Sequence, residues 1–384
     1  MGFSLQDGKG FLIMESNIQV GIDGYWMIDD YRGMGSFAWQ LIEPLADKCS
    51  VFIPDNSSKL KIVNNKYQKL SKKMFLLWEQ LSIPCAVKKN KVEYMIYPYN
   101  TGAFRKVEGK RISIIHDLIF LKSKKELPYS ASMYQNLGRL YRKFFLGINI
   151  KNADYIVTVS QFTKSELIKE YGLNESKITV IPNSLPEHWY QTLPKDTVSD
   201  KYLFTVAGEA PSKNLTTLLD AFALALSKYN IHGLKLTIAG VKSEYHHKYL
   251  QHCKLLGIDS YVEFLGYIST NELKSLYVNS YGFIFASLFE GFGIPLIEAL
   301  ASRTPVAFSN VTSLPEIAAD CGISFNPYDM PSIAEAISQL FYLDEKLKVR
   351  MVDKGFKRAL DFQELKVRKD IENFWSFMLE PGKD

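Results

Sequence analysis

Apolar and polar positions along this chain fall into short runs that switch between two periods. An alternating stretch at 17–27, then apolar or β-branched runs at 49–53, 94–97, 111–115, 154–160 and 177–181, read as strands. The intervals at 36–45, 127–150 and 161–171 carry helical spacing instead. The pattern then repeats: strands at 202–206, 235–239, 262–265, 281–287, 306–309 and 323–325, and helices at 215–226, 271–278 and 332–341. Strand and helix take turns throughout, which predicts α/β architecture with parallel, doubly wound sheets. Residues 182–200 break the pattern with Pro182, Pro186 and Pro194 among polar neighbours and read as a linker. The expected division is a first domain over 1–185, a second over 186–362, and a closing segment 363–384 with an amphipathic helix at 363–379. Residues 1–16 read as a poorly ordered leader.

Composition supports two real cores without pointing to a special class. The 384 residues are 47% hydrophobic and 23% charged, a normal globular balance. The 22 tyrosines and 24 phenylalanines favour aromatic-lined clefts. A net charge of +5 is too mild for a dedicated nucleic-acid role, and its distribution is more informative. Between 59 and 91 stand Lys59, Lys61, Lys66, Lys69, Lys72, Lys73, Lys88, Lys89 and Lys91, against the single acid Glu79. These lysines point to an anionic partner, a membrane surface or a lipid diphosphate. The apolar run Met74, Phe75, Leu76, Leu77 and Trp78 reads either as a membrane-resting stripe or as the inner face of a helix, and the inner face is the expectation.

Cys49, Cys85, Cys253 and Cys321 are far apart and read as free core thiols of a reducing compartment. No run reaches membrane-spanning length, and the first residues lack a signal-peptide layout. Gln6 stands where an acylation signal at Gly2 wants Ser or Thr. The expectation is a cytoplasmic protein, peripheral on the inner face of the membrane through 59–91.

The chemistry concentrates where strands end in glycine loops. The apolar run 281–287 leads to Glu290-Gly291-Phe292-Gly293, and Ile294-Pro295 opens a helix. Free backbone N–H groups and a helix N-terminus then face one spot, which suits a phosphate. Glu290 and Glu298 flank that spot; a carboxylate repels phosphate and suits hydroxyls. A nucleotide sugar uses every part: amides on the diphosphate, Glu298 on the ribose, Glu290 on the sugar. The plain alternative is a helix whose acidic first turn answers its dipole. Gly33 and Gly35 lie in a second such loop, which also reads as a tight turn. Lys213 stands at a third and can neutralise a diphosphate. His116 ends strand 111–115, where it can donate to a sugar hydroxyl, pair with a leaving phosphate, or serve as a hydrogen-bonded structural histidine. Ser160 ends another strand and reads as cleft lining or as a helix N-cap.

Glu290-Gly-Phe-Gly-Ile-Pro-Leu-Ile-Glu298 resembles the E-x7-E signature of retaining glycosyltransferases of the GT-B fold, family 4 type (glycosyl transferases group 1). Pro305-Val-Ala-Phe-Ser-Asn310 and Leu314-Pro-Glu316 continue that pattern. The resemblance implies two Rossmann-like domains facing across a cleft, with the last helix crossing back to the first. It implies transfer of a hexose (mannose, glucose or a deoxyhexose), with retention, from a nucleotide diphosphate sugar to a glycan or lipid-linked acceptor, in cell-surface polysaccharide or lipopolysaccharide biosynthesis. It assigns His116, Glu290 and Lys213 to catalysis. Donor contacts fall on Gly33, Gly35, Tyr267, Gly291, Phe292, Gly293, Ile294, Pro295 and Glu298, with backbone near Tyr267 holding the base. No DxD triplet occurs, so no metal and no cofactor beyond the donor are expected.

Competing readings are a nucleotide-sugar epimerase, a non-catalytic nucleotide-sugar binder and a membrane-associated scaffold. The chain departs from the family at Ser212, where Arg is usual, at Glu209, where some relatives carry Arg, and at Arg303, where glycine is favoured after a helix. The first two alter the charge expected around the diphosphate, and Arg303 is strained if left-handed.

Overall fold

A computed structural model describes residues 18–28, 33–55, 66–71, 74–123, 133–191, 193 and 201–380. The leader, Lys59, Lys61, Lys72, Lys73 and most of the second half of the linker lie outside the described residues. The first sheet holds β1 (Val20–Asp23), β2 (Cys49–Pro54), β3 (Lys66–Leu70), β4 (Tyr94–Tyr97), β5 (Lys110–Ile115), β6 (Tyr155–Thr158) and β7 (Ile178–Val180). Their order is β3-β2-β1-β4-β5-β6-β7. The second holds β8 (Lys201–Val206), β9 (Leu234–Ala239), β10 (Val262–Gly266), β11 (Gly282–Phe285), β12 (Val306–Ser309) and β13 (Ile323–Phe325), in the order β10-β9-β8-β11-β12-β13. Every pairing within both sheets is parallel.

The central strands are covered on both faces. All four residues of β1, β4, β11 and β12 are buried, and so β4 and β11 read as unbroken apolar runs rather than alternating ones. Strand order reverses between β1 and β4 in one sheet and between β8 and β11 in the other. Such reversals open a crevice at the carboxyl ends of the strands, and the candidate loops leave β1, β5, β8 and β11 at those ends.

Some elements differ from the sequence reading. β1 stops at Asp23, well short of 27, because Gly24 donates its amide to Phe52 O (2.8 Å) and Tyr25 turns back to donate to Asp23 Oδ1 (3.0 Å). β3 was not expected; it is an edge strand, KYQKL, whose exposed lysines hide its period and guard the edge. Cys49, Cys253 and Cys321 are buried free thiols, but Cys85 is exposed.

The last helix, Glu364–Leu379, packs on the first domain. Trp375 Nε1 donates to Leu41 O (2.6 Å), Tyr94 Oη donates to Met378 O (2.8 Å), and Arg368 pairs with Glu43 at 3.2 Å. Arg303 is left-handed (φ 57), as the missing glycine requires, and its guanidinium lies 3.7 Å from the Phe356 ring centroid.

Under the lysine-rich segment lies a buried polar cluster. Trp78 is fully buried as expected and donates Nε1 to Asp23 Oδ1 (2.8 Å). Glu79 is buried as well, accepting from Thr101 Oγ1 (2.6 Å), from Gln80 Nε2 (3.2 Å) and from the Tyr141 hydroxyl. Burial pushes the Asp23 carboxyl up from 3.8 to about 7, against the lowering pull of Trp78 and the Tyr25 amide. Its Oδ2 has no hydrogen-bond partner among the described residues.

The folded value lies above the unfolded one. The neutral carboxyl therefore contributes fully below 3.8, and that contribution is lost as pH rises through about 7. A charge buried here at pH 8 costs about 4 kcal/mol. Asp23→Asn keeps an acceptor for Trp78 and Tyr25 and cannot ionise. Urea melts should show this variant more stable than the parent by about 4 kcal/mol at pH 8, with the difference shrinking towards pH 4. Equal stability at pH 8 would contradict the assignment.

Candidate functional site

The loop after β11 is built so that its oxygens are spent and its amides are not. The single Ser313 hydroxyl proton is shared between Glu290 O (3.0 Å) and Phe292 O (2.8 Å). Ser160 Oγ, from the first domain, donates to Gly291 O (2.7 Å). Glu290 N donates to Thr312 Oγ1 (3.2 Å). Among the described residues no hydrogen bond engages the amides of Gly291, Phe292, Gly293 or Ile294. Gly293, at φ 114, caps the helix Ile294–Ala301, with Pro295 in its first turn. Converging N–H groups and a helix N-terminus make a positive concavity.

The flanking side chains are charged and oriented. Lys213 Nζ pairs with Glu290 Oε1 at 2.6 Å, both side chains being mostly covered. The predicted partition, Lys213 on phosphate and Glu290 on sugar, therefore starts from a direct ion pair. Glu298 leans the other way and accepts from the Tyr277 hydroxyl at 3.0 Å. Tyr277 is buried on helix Thr270–Asn279, and burial together with Glu298 holds its hydroxyl well above the usual phenol range. Nothing in the E-x7-E spacing announces Tyr277; only packing shows it.

Beside the loop, a cavity of about 220 Å³ is lined by Gly208, Lys213, Gly240, Gly266, Tyr267 and Ile268, among others. Tyr267 sits at its rim, 64% exposed. Phe292 contributes its amide only; its ring is buried edge-on against Phe362, 5.5 Å between centroids.

The first domain presses directly on this loop. A Cβ on Gly291 would lie 2.0 Å from His116 O and 2.9 Å from Asp117 Cβ, so only glycine admits this approach. His116 is buried, its amide donating to Asn100 Oδ1 (2.6 Å). Its Nε2 lies 3.0 Å from Pro98 O. A carbonyl only accepts, so Nε2 carries the proton and Nδ1 is left as an acceptor. Burial lowers the imidazole to about 4, against the raising pull of Pro98. Of the roles the sequence offered, donation from Nε2 is engaged by Pro98 O in this structure, while Nδ1 keeps its acceptor lone pair.

Asp117 next to it was not singled out. Burial raises its carboxyl, the Ile119 amide and Arg142 lower it, and it feels both Glu290 and Lys213. Gly33, at φ 55, caps the helix Met34–Ile42, with open space where a Cβ would stand, and Gly35 is buried in that helix's first turn.

The departures from the family pattern are accommodated. Ser212 is buried, and its carbonyl accepts from Leu288 N (2.7 Å), which ties this turn to the segment before Glu290. Glu209 sits 3.7 Å from Lys242, which offsets its charge. Among the described residues no three His, Cys, Asp or Glu side chains converge as a metal site.

Comparison with known proteins places this geometry. The family model for glycosyl transferases group 1 matches residues 193–358, and that for glycosyltransferase family 4 matches residues 98–187. The O-antigen chain mannosyltransferase RfbU of Salmonella typhimurium is 30% identical over 212 residues, 55% of this chain and 58% of that protein. O-antigen chain mannosyltransferase B of Escherichia coli is 28% identical over 234 residues, 58% of this chain and 60% of that protein. The match thus spans somewhat over half of each relative. The sucrose-phosphate synthase of Thermosynechococcus elongatus superposes with a TM-score of 0.73 at 17% identity, covering 94% of this chain and 99% of that one. With both halves matched in sequence, the E-x7-E loop seated at a topological switch point and two parallel-sheet domains meeting over it, this chain belongs to the group 1 glycosyltransferases of the GT-B fold.

Proposed function

We propose that this protein transfers a hexose from a nucleotide diphosphate sugar to an acceptor hydroxyl in O-antigen or related surface-polysaccharide assembly. The free amides of Gly291–Ile294, bracketed by Glu290 and Glu298, carry this reading. The curated relatives are named for mannose, which favours a mannosyl donor. In this reading the amides and Lys213 hold the diphosphate, Glu290 and the sugar hydroxyls pair, and Tyr277 fixes Glu298 against the ribose. The base enters the cavity beside Gly266 and Tyr267. Binding separates Lys213 from Glu290: the cation moves to phosphate and the carboxylate to the sugar, so neither is left unpaired.

Transfer proceeds with retention and without a metal. The bond from C1 to the phosphate oxygen breaks as the acceptor oxygen bonds to C1 on the same face. The departing phosphate takes the acceptor's proton. Amides and Lys213 stabilise the charge that develops on that phosphate. His116 Nδ1 accepts from a hydroxyl of the sugar, a role open to a neutral imidazole.

The acceptor is glycan or lipid-linked, presented at a membrane. No helix among the described residues is long and apolar enough to cross a bilayer. Two helices of the first domain nevertheless expose apolar side chains beside cations. Met74 (72% exposed), Leu77 and Leu81 come from one; Leu137, Leu140 and Phe144 (each above 60%) come from the helix Met133–Asn152. The Phe75 and Tyr141 rings join the two at 6.1 Å. Of the run expected to pack inside, Trp78 is buried and Phe75 half-buried against the core, while Met74, Leu76 and Leu77 are exposed. Lys88, Lys89 and Lys143 are exposed on the same helices, which suits an anionic surface.

Glu290→Ala should reduce turnover of GDP-mannose, or of whichever common nucleotide sugar the wild type uses, by at least about 100-fold with an unchanged melting temperature. Wild-type turnover would refute its role. Sedimentation with phosphatidylglycerol vesicles should be strong for the wild type and lost in a Leu140→Asp, Phe144→Asp double variant. Binding of equal strength to phosphatidylcholine vesicles, or retained by the double variant, would refute the membrane contact.

A further inference from the structure

Glu316 lies in the second domain, yet both its oxygens serve the first. Oε1 accepts from Gln161 N (2.8 Å) and Oε2 from Phe162 N (2.9 Å). These amides open the helix Gln161–Tyr171, where orphan N–H groups and the dipole favour a carboxylate. The helix's own cap is Ser160, which accepts from Thr163 N (3.1 Å) and donates across the cleft to Gly291 O (2.7 Å). Thr163 Oγ1 lies 3.4 Å from the same carbonyl. Phe162 meets Phe289 edge-on at 5.8 Å between centroids, one residue before Glu290. On its own side Glu316 is anchored through its carbonyl, which accepts from Arg358 Nη2 (2.8 Å).

We infer that Ser160 and Glu316 are positioning residues, a clasp that joins one helix end to the donor loop and sets its amides when the domains close. The inference rests on the proposed function for its catalytic consequence, while the clasp itself is a matter of domain geometry. In a trans peptide the C=O and the following N–H point to opposite sides. Holding Gly291 O toward Ser160 therefore turns Phe292 N–H away from the first domain and back into the loop's concavity. Ser313 does the same from within the second domain at Glu290 and Phe292. The difference is that Ser160 acts only while the two domains touch, so loop geometry and closure become one event. Glu316 supplies the attachment, two charge-assisted bonds to adjacent amides. Gly291 supplies the clearance, since any Cβ would meet His116 O.

The test uses the full chain in four forms: wild type, Ser160→Ala, Glu316→Ala and Gly291→Ala. Small-angle scattering measures domain separation, and turnover of GDP-mannose or UDP-glucose measures the consequence. Glu316 is half-buried outside both main cores, so its variant keeps the fold even if loss of the Ser160 cap weakens the helix. All three variants should show a larger radius of gyration than the wild type. Ser160→Ala and Glu316→Ala should lower kcat at least ten-fold while donor KM changes less than three-fold. A Glu316→Ala protein as compact as the wild type overturns the clasp. So does an opened Glu316→Ala protein with unchanged kcat, since closure would then not position the loop. If the wild type turns over no nucleotide sugar, the proposed function fails, and the scattering comparison alone still decides the clasp.

Discussion

Two serine hydroxyls, those of Ser313 and Ser160, set the polarity of the loop after β11. A glycine loop offers equal numbers of donors and acceptors, so it has no intrinsic preference for anions. Here Ser160 takes the carbonyl of Gly291, those of Glu290 and Phe292 share the Ser313 hydroxyl, and the amides of Gly291 to Ile294 have no hydrogen-bond partner among the described residues. The helix Ile294–Ala301 adds its N-terminus behind them. Polarity arises from which half of each peptide has been satisfied, and the conformational freedom of Gly293 allows the chain to turn into the helix at that point.

The charges around the loop follow from this. Glu290 and Lys213 neutralise one another in a mostly covered position, which keeps two ions near the cleft without a large desolvation cost. Glu298 is held apart from them by a buried tyrosine. His116, by contrast, is kept neutral, with its single proton committed to Pro98. The two acids and the cation thus stand at different points of one cleft, with the neutral imidazole beside them.

Much of this was legible in the sequence, and the limits have physical reasons. Parallel sheets buried on both faces leave continuous apolar runs, so strands such as 94–97 and 306–309 were placed to the residue. The E-x7-E spacing located both acids because a strand end and a helix's first turns fix their separation. What sequence could not show were long-range partners. Tyr277 reaches Glu298 over 21 residues, Ser160 reaches Gly291 over 131, and Glu316 reaches Gln161 over 155. None of these has a local signature. β3 was hidden by its lysines, and the burial of Glu79, the single acid among them, had no local signal because its partners Thr101 and Tyr141 are distant in the chain. The carbonyl that takes the His116 proton likewise lies 18 residues away in the chain.

The chemistry of the cleft is decided by where a diphosphate sits. A crystal structure with an intact nucleotide diphosphate sugar tests it most directly. The prediction is phosphate oxygens within hydrogen-bonding distance of amides in the segment from Gly291 to Ile294, Lys213 turned from Glu290 toward the phosphates, and Glu290 and Glu298 on sugar and ribose hydroxyls. A nucleotide bound away from β11, or both carboxylates directed out of the cleft, would contradict it.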